Sequence, residues 1–328
     1  MNLNLYDENL NRISIIGMQY ISCLWSEGYN SVESFSLEVN ATDEYKKKIR
    51  EDCYVGRTDR KTLMVIKSVE FYENTIVATG KQSTRVLDDV AFVGTIQTGA
   101  VIDTALNDAY NNSNKYRNLN YRLTGLPDVF NHQISNKSML ELCKNMCESV
   151  DSGFRIIKNE NEMLLELYKP SQNPNLIFSK EYGNLIFKNL VTSSEAYKNY
   201  AIVLGEGEGN SRKRVYIDVS GGKDRREIII DARDITMEDG ESESNYEKRL
   251  ETRGFEKLLD LNQTLKCEFV PSANDFGTKY DLGDVITVRL TDYKIVLNAR
   301  IVRFSQKSQN NRIETTVEVG KITRSAMR

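Results

Sequence analysis

Short segments with the hydrophobic pattern of β-strands follow one another along the first 95 residues, beginning with LNLYD and RISIIG and continuing with SFSLEVN, in which apolar and polar positions alternate. In the segment SFSLEVN, Phe35, Leu37 and Val39 share one face. Strand patterns continue in TLMVIKSVEFYE and TIVATGKQ on either side of Asn74, where a hairpin turn is expected. This part of the chain therefore predicts a compact antiparallel barrel or sandwich.

The pattern changes to that of an amphipathic helix over residues 98–111. The apolar positions recur there at i, i+3, i+4 and i+7, namely Ile102, Ala105, Leu106 and Ala109. A second helix is predicted from Ser138, which forms a capping box with Glu141, to a point near Gly153. Its apolar stripe consists of Leu142, Met146 and Val150. Because the strand-like segments GFRIIKN, EMLLELYKP and NLIFSKEY follow, residues 98–187 are interpreted as an α+β segment.

A second β-rich unit begins near Tyr200, with NYAIVLGEGEG followed by RKRVYIDVSGGKDRREIIIDARD. The SGGKD turn predicts that the segment around Val215 and the segment EIIID form a hairpin. A capping box of Ser244 and Glu247 predicts a helix over residues 245–261. Strand patterns then return to the end of the chain, in TLKCEFVPS, VITVRL, KIVLNARIVRFSQKS and RIETTVEVG. The resulting order is a barrel, an α+β insert and a second barrel interrupted by a helix.

Composition limits the possible functions. A chain of 328 residues exceeds the size at which single cores usually stop growing, so at least two domains are expected. Its 40% hydrophobic and 28% charged residues are typical of soluble globular protein, and no apolar stretch is long enough for a membrane helix. The N-terminus lacks the pattern of a signal peptide, which predicts a protein that stays in the cytoplasm where it is made. A net charge of -3 argues against dedicated nucleic-acid binding, although passage of DNA through a channel remains compatible with it.

The glycines at positions 205, 207 and 209 in LGEGEG could form a phosphate-binding loop. Such a loop must open a helix, whereas a strand-like segment follows here, and two glutamates would repel an anion. We therefore interpret Gly205, Gly207 and Gly209 as a turn or bulge that bends a strand.

Two pairs of carboxylates are candidates for a metal site or a catalytic site. In YDLGD, Asp281 and Asp284 flank a glycine but lack the further oxygen ligands of a calcium loop, so a tight turn before VITVRL is predicted. In DARD, Asp231 and Asp234 lie beside Arg225 and Arg226 and could resemble the paired carboxylates of a hydrolase. Because acidic residues are abundant in this chain, exposed or interface positions are the preferred interpretation.

The remaining candidates are also assigned structural roles. His132 is the one histidine and has no neighbouring arrangement that resembles a catalytic triad. Cys143 and Cys147 lie i, i+4 on the second helix, yet no further ligand is apparent, so helix packing is favoured over a metal. All five cysteines are expected to be free thiols. Trp25 is expected to be a buried aromatic anchor. No catalytic, cofactor-binding or metal-binding residue is predicted.

Five features in this order resemble the tail-hub, or baseplate-hub, proteins of long-tailed bacteriophages and of phage-tail-like bacteriocins. They are an N-terminal strand unit with KQSTRVLDDVAFVGTIQTGAVIDTAL, then AIVLGEGEGNSRKRVYIDV, RREIIIDARDI, NYEKRLETRGFEKLLDL and YDLGDVITV. The resemblance implies a mainly β fold with α+β inserts, formed by two tandem related antiparallel β-barrels that each carry an accessory domain. Its domains would be a first barrel at 1–97, an α+β accessory domain at 98–187, a second barrel at 188–232 and 268–328, and a helical insert at 233–267.

The resemblance also implies a function. Such a hub is a structural, non-enzymatic homotrimer and symmetry adaptor, which joins a sixfold tail tube or distal tail protein ring to a threefold central spike or tip. Baseplate wedge proteins are further possible partners, DNA would only pass through the channel, and no cofactor is implied. The protein would reside in the virion or tail-like particle. The alternative is a cell-wall carbohydrate-active enzyme or cell-surface binding module, which would use Asp231 or Asp234.

Overall fold

β-Strands dominate the computed structural model, which describes residues 1–112, 119–121, 126, 128–130, 133–160, 162–238, 240–261, 264–271, 275–310 and 312–324. The chain divides into two units. Unit 1 consists of Met1–Lys188 and Cys267–Arg328, and unit 2 consists of Asn189–Lys266. Within the described residues, no helix is long and apolar enough to cross a membrane.

The first part of unit 1 is an antiparallel set of seven strands with one short helix. The strands are β1 (Leu3–Tyr6), β2 (Arg12–Gly17), β3 (Ser22–Gly28), β4 (Ser34–Asn40), β5 (Tyr54–Arg57), β6 (Leu63–Phe71) and β7 (Thr75–Gln82), and the helix is α1 (Asp43–Lys48). The predicted face of β4 is confirmed, because Phe35, Leu37 and Val39 are all buried. The hairpin at Asn74 is confirmed as well, since Tyr72 N donates to Thr75 O across the β6–β7 turn.

The middle of unit 1 combines short strands with two helices. They are β8 (Ala91–Ile96), α2 (Ile102–Asn111), β9 (Leu119–Tyr121), β10 (Ile134–Ser138), α3 (Met139–Ser149), β11 (Gly153–Asn159) and β12 (Glu162–Tyr168). Both predicted amphipathic helices are present, and their apolar stripes enter one core with β11 and β12. Ser138 caps α3 by accepting from Glu141 N at 3.3 Å, as the capping box predicted. The α2 helix begins at Ile102, later than residue 98, and α3 ends at Ser149, before Gly153.

Six further strands extend the sheet of the first part, and four of them lie wholly within unit 1. They are β13 (Gln172–Ser179), β14 (Leu185–Ser193), β18 (Thr264–Pro271), β19 (Val285–Leu290), β20 (Ile295–Gln309) and β21 (Arg312–Arg324). The main path of the sheet runs β14-β18-β21-β20-β3-β4-β7-β6-β5-β1-β2, and β19 pairs with β20 and β13 beside this path. No pairing between the ends β14 and β2 is found among the described strands, so the two closed barrels expected from the sequence stay a prediction.

Two sets of six strands in this sheet follow the same order. Set 1 runs β3-β4-β7-β6-β5-β1, and set 2 runs β14-β18-β21-β20-β19-β13. The residue pairings also correspond across three strand pairs, with the pair of set 1 given first and that of set 2 second. Between β4 and β7, and between β18 and β21, they are Phe35↔Gly80 and Cys267↔Val319. Between β6 and β7, and between β20 and β21, they are Ile66↔Gly80 and Ile301↔Val319, then Ser68↔Thr79 and Arg303↔Glu318; between β5 and β6, and between β19 and β20, they are Tyr54↔Val65 and Val285↔Arg300. One difference is direction, because β1 pairs antiparallel with β5 whereas β13 pairs parallel with β19.

Unit 2 is a small sheet covered by one helix. Its elements are β15 (Tyr200–Leu204), β16 (Arg214–Asp218), β17 (Glu227–Asp231) and α4 (Glu243–Asp260). Leu250 of α4 and Val203 of β15 are fully buried in its core. Gly254 lies where α4 meets the sheet, and an added Cβ would come within 2.1 Å of Ile217 Cδ1. The glycine inside this helix therefore permits close packing on the sheet.

Two predictions for unit 2 are wrong. The β16 and β17 strands do not form a hairpin, because the strand order is β16-β15-β17 and β17 pairs parallel with β15. The turn does reverse the chain, but β15 is the most apolar strand of the three and takes the central position with hydrogen bonds on both edges. The cap of α4 is Ser242, not Ser244, because the Ser242 hydroxyl accepts from Asn245 N at 3.3 Å.

Strand partners in the structure also differ from the expected domain boundaries. Strand β13 falls within the expected accessory domain at 98–187, and β14 begins in it, yet they pair in the large sheet with β19 and β18, respectively. Strands β15, β16 and β17, assigned to a second barrel at 188–232, instead form the separate sheet of unit 2. The physical reason is that a period-two pattern specifies a buried face but leaves the hydrogen-bonding partner open.

Candidate assembly surfaces

The β3 and β20 strands join set 1 to set 2. Residues 295–300 of β20 pair with β19, whereas residues 303–309 pair antiparallel with β3, from Arg303↔Gly28 to Gln309↔Ser22. The β21 strand lines the other edge of β20 throughout, so β19 and β3 share one edge. The partner changes at a register shift between Ile301 and Arg303. We call the β3–β20 pairing the closed join.

A buried ion pair lies at the closed join. The Glu27 side chain is fully buried on β3, and its carboxylate accepts from Arg60 Nε at 3.1 Å and from Arg60 Nη2 at 2.8 Å. Trp25 Nε1 donates to the same carboxylate at 2.7 Å. Burial acts to raise the pKa of Glu27, but the Arg60 charge and these hydrogen bonds outweigh burial and hold the pKa below its usual value. The carboxylate is therefore charged and fully engaged, which suits a structural role.

Aromatic stacking extends this arrangement to β20. The Arg60 guanidinium lies 4.7 Å from the centre of the Phe276 ring, and Phe276 stacks on Phe304 with their centroids 3.9 Å apart. Arg60 Nη2 also donates to Asp281 at 3.2 Å, in the turn before β19. Trp25, Glu27, Arg60, Phe276 and Phe304 are called the join cluster below. It ties residues of set 1 to residues of set 2 by charge and by packing.

Further polar contacts cross the closed join. Ser26 and Ser305 lie opposite each other with their hydroxyls 2.9 Å apart. Arg57 Nη1 donates to Gln306 Oε1 at 2.7 Å, and Arg303 Nη2 lies 2.6 Å from Glu33 Oε2. Because these contacts lie on both sides of the join cluster, the two strand sets are held in one register.

Two strand edges contrast with the closed join. The β14 strand ends the strand order, and its Ile186 and Val191 side chains are 65% and 42% exposed. Residues 68–71 of β6 pair with β7, and among the described strand pairings they have no partner on their other edge. The large side chains of Phe71 and Tyr72 are exposed there. We call these surfaces the β14 edge and the β6 edge.

The paired aspartates of DARD lie in unit 2 and are engaged with arginines. Asp231 contacts Arg212 and Arg233, and Asp234 Oδ2 lies 2.7 Å from Arg253 Nη2. Hydrogen bonds from the Arg233 and Arg212 side chains lower the pKa of Asp231. Neither carboxylate is thereby suited to donate a proton at neutral pH, as the acid of a hydrolase pair must.

Both loop interpretations are confirmed. The segment with Gly205, Gly207 and Gly209 connects β15 to β16 and not to a helix, with Gly205 N donating to Lys213 O and Lys213 N to Glu206 O. Gly207 has φ of +108°, which favours glycine. In YDLGD, Asp284 N donates to Asp281 O at 3.2 Å, so a turn precedes β19.

The other sequence candidates that the structure describes are Trp25, the two cysteines of α3 and the two arginines near DARD. Trp25 is fully buried, which confirms it as an anchor. Cys143 and Cys147 are free, buried thiols in the core around α3, and burial raises the pKa of Cys143 to about 12. Arg225 pairs with Asp218, and Arg226 donates to Ser194 O. His132 lies outside the described residues. Among those that are described, no group of three or more His, Cys, Asp or Glu side chains could hold a metal.

Comparison with known proteins adds the family. A model of the Siphovirus ReqiPepy6 Gp37-like protein family matches residues 2–321. The chain belongs to this family. The predicted relationship to proteins of long-tailed bacteriophages is therefore confirmed. No curated protein sequence matches the chain significantly.

Solved structures share the fold at low sequence identity. Prophage MuSo2 43 kDa tail protein from Shewanella oneidensis is 11% identical with a TM-score of 0.64, and 98% of each chain is covered. Prophage tail protein gp18 from Listeria monocytogenes EGD-e is 11% identical with a TM-score of 0.60, covering 98% of this chain and 94% of that one. A chain of the phage P2 baseplate in its activated conformation with Ca is 11% identical with a TM-score of 0.50, covering 97% and 98%. The mainly β fold is thus that of phage tail proteins.

Sequence reasoning missed the join cluster. The pattern SCLWSEG contains a signal for it, because Trp25 and Glu27 are two residues apart on a strand and share a face with Cys23. A charged residue on the face of a buried tryptophan requires a partner. That partner, Arg60, lies on another segment, and the sequence pattern does not identify it.

Proposed function

We propose that this protein is the structural hub of a phage tail or tail-like particle, a homotrimeric symmetry adaptor at the baseplate or tail tip. The supporting observation is that one chain contains two strand sets with the same order and corresponding registers. Three copies of such a chain supply six similar modules around one axis. The ring can therefore contact a sixfold tube on one face and a threefold spike on the other.

The second module differs in extent from the one expected from the sequence. The first module comprises residues 1–97, with set 1 as its sheet. The second comprises residues 172–193 and 264–324, with set 2 as its sheet. Residues 98–168 form the accessory segment between the modules, and the part of unit 2 with β15, β16, β17 and α4 is the insert of the second module.

The closed join supports a structural role for this pairing of modules. A charged carboxylate that is fully buried and held by Arg60 fixes geometry at the module boundary, and removal of its partner would leave a buried charge. A chain of the phage P2 baseplate shares this fold, which supports a location at the tail tip. The proposed partners are the tail tube or distal tail ring and the central spike, with wedge proteins around them. The role is not catalytic, and DNA only passes through the channel.

Stoichiometry and position in the particle test this function. Native mass spectrometry of the purified chain and electron cryomicroscopy of intact particles should show three copies at one end of the tail tube. A labelled fusion at unit 2 marks the position in images. A chain that is missing from particles, or that is present in six independent copies, would refute the proposal.

A further inference from the structure

We propose that the β14 edge of one copy pairs antiparallel with the β6 edge of a second copy of this chain, so that each boundary between subunits repeats the closed join. This inference rests on the proposed function, because it specifies the surface through which the hub would assemble. The observation that leads to it is the correspondence between set 1 and set 2.

The closed join provides the template. In set 2, β20 corresponds to β6 of set 1, and both strands have a register shift at the corresponding place, between Ile301 and Arg303 and between Ile66 and Ser68. Beyond the shift, β20 accepts β3 as a second neighbour. Beyond its own shift, residues 68–71 of β6 pair with β7 and, among the described strands, with no second neighbour. The β6 edge is therefore the vacant counterpart of the β20 edge that binds β3.

The β14 strand is the counterpart of β3. Both strands stand first in the order of their sets, before β4 in one case and before β18 in the other. The outer edge of β3 pairs with β20, whereas β14 ends the described strand order. Each copy thus presents a counterpart of β3, which is β14, and a counterpart of the β20 edge, which is the β6 edge. Within one chain β3 and β20 pair with each other, whereas the β14 edge and the β6 edge have no described partner.

Exposure of apolar side chains agrees with this pairing. Ile186 on β14 is 65% exposed, and Phe71 and Tyr72 at the end of the β6 edge are 58% and 55% exposed. Open strand edges with large apolar side chains promote association, and soluble proteins normally cover or charge them. A second copy of this chain covers both at once.

A contact of this kind closes into a ring of three copies when each copy is rotated by a third of a turn from the last. The β14 edge and the β6 edge are different surfaces, so the contact is heterologous and runs head to tail from copy to copy. In a trimer, three closed joins within chains would alternate with three β14–β6 joins between chains. The β14 edges and the β6 edges of all three copies would then be paired.

Substitution of Ile186 by lysine tests the contact, because a lysine on a strand edge opposes pairing. The matched control is Ile229→Lys, since Ile229 is also an isoleucine on a strand and is 66% exposed. Mass photometry over a concentration series should show at least a tenfold higher dissociation concentration for the Ile186→Lys trimer and an unchanged value for the control. Equal behaviour of both variants would overturn the inference.

Engineered disulfides provide the second, independent measurement. Glu70→Cys is combined in turn with Ile186→Cys, Phe187→Cys, Asn189→Cys and Val191→Cys, so that one pair falls within the Cα separation of roughly 4.4–6.8 Å that a disulfide needs. Four of the five native thiols, at positions 23, 53, 143 and 147, are buried, and the single variants control for reactions of the native thiols. One double variant should give covalent dimer and trimer on oxidation of intact tail particles, whereas the single variants should give monomer.

The outcomes separate this inference from the proposed function. A trimer in which no β14–β6 cysteine pair cross-links would overturn the pairing and leave the trimeric hub intact. The same conclusion would follow if a single β14 cysteine formed a disulfide with the same cysteine of a neighbouring copy. Particles without a trimer of this chain overturn both.

Discussion

The closed join and the β6 edge occupy corresponding places in the two strand sets, yet they differ in what covers them. At the closed join, β20 meets β3, and a buried ion pair, stacked rings and opposed hydroxyls fill the boundary. At the β6 edge, the corresponding backbone carries exposed Phe71 and Tyr72. The difference indicates that the same strand geometry serves once for folding and once for assembly.

Side chains at corresponding positions show the same division. Val65 and Arg300 occupy one position, and Gly80 and Val319 occupy another. Arg300 uses its guanidinium to bind Gly283 O at 2.6 Å and Asp151 at 2.7 Å, whereas Val65 is packed in the core. Strand order and register are therefore shared by two sets whose contacts have diverged.

The largest effect on folding is expected at the join cluster. Arg60→Met would leave the buried Glu27 carboxylate without its cation, and breaking a buried pair in this way costs about 3–5 kcal/mol. Urea unfolding followed by fluorescence would measure the loss. Arg85→Met is the control, because Arg85 pairs with Asp88 and Asp89 at the surface and should change the free energy of unfolding by less than about 1 kcal/mol. A similar loss in both variants would contradict the role assigned to the join cluster.

Acid titration sharpens the same point. The pKa of Glu27 is lower in the folded chain than in the unfolded chain, so its ion pair contributes stability above the unfolded value of about 4.3 and loses it as pH falls through the folded value. The difference in unfolding free energy between wild type and Glu27→Gln should therefore be constant near neutral pH and shrink below about pH 4. Urea unfolding at a series of pH values measures it. A difference that grows on acidification would contradict the ion-pair account.

Parts of this structure follow from local patterns alone. The stripes of α2 and α3, the Ser138 cap and the β6–β7 hairpin depend on residues that are close in sequence, and these predictions are confirmed. The placement of β13, β14 and β15 could not be predicted in this way, because alternation fixes a strand's buried face and leaves its partners open. The cap at Ser242 was missed because both Ser242 and Ser244 suit a helix start, and only backbone geometry selects between them.

The candidate assembly surfaces were less predictable than the fold. The sequence pattern marks Trp25 and Glu27 as neighbours on one face, but Arg60 and Phe276 join them only through the sheet. The β6 edge has the same alternating pattern as a paired strand. Its openness becomes visible only when its partners are compared with those of β20.

The paired positions Gly80 and Val319 offer a smaller test of the comparison between sets. An added Cβ at Gly80 would lie 1.9 Å from Val65 O, so Gly80→Ala must push β6 and β7 apart and should cost about 1–3 kcal/mol. At the corresponding position, the chain accommodates the buried side chain of Val319. Val319→Ala should also destabilise, by about 1.6 kcal/mol, because it removes two buried methyl-sized groups. Thermal unfolding of both variants measures these losses. If Gly80→Ala left the unfolding temperature unchanged, position 80 would accept a side chain as position 319 does, and the difference between the two sets at this position would be refuted.

The smallest expected effect compares one position on the closed join with its counterpart on the β6 edge. Ser305 corresponds to Glu70, since each follows the register shift of its strand by the same number of residues. Ser305→Ala removes the hydroxyl pair with Ser26 and should cost about 1 kcal/mol in the free energy of unfolding. Glu70→Ala changes an exposed side chain and should stay within about 0.5 kcal/mol in the dissociated chain. Urea unfolding under dissociating dilution measures both, and a larger loss for Glu70→Ala would mean that the β6 edge is already covered within one copy.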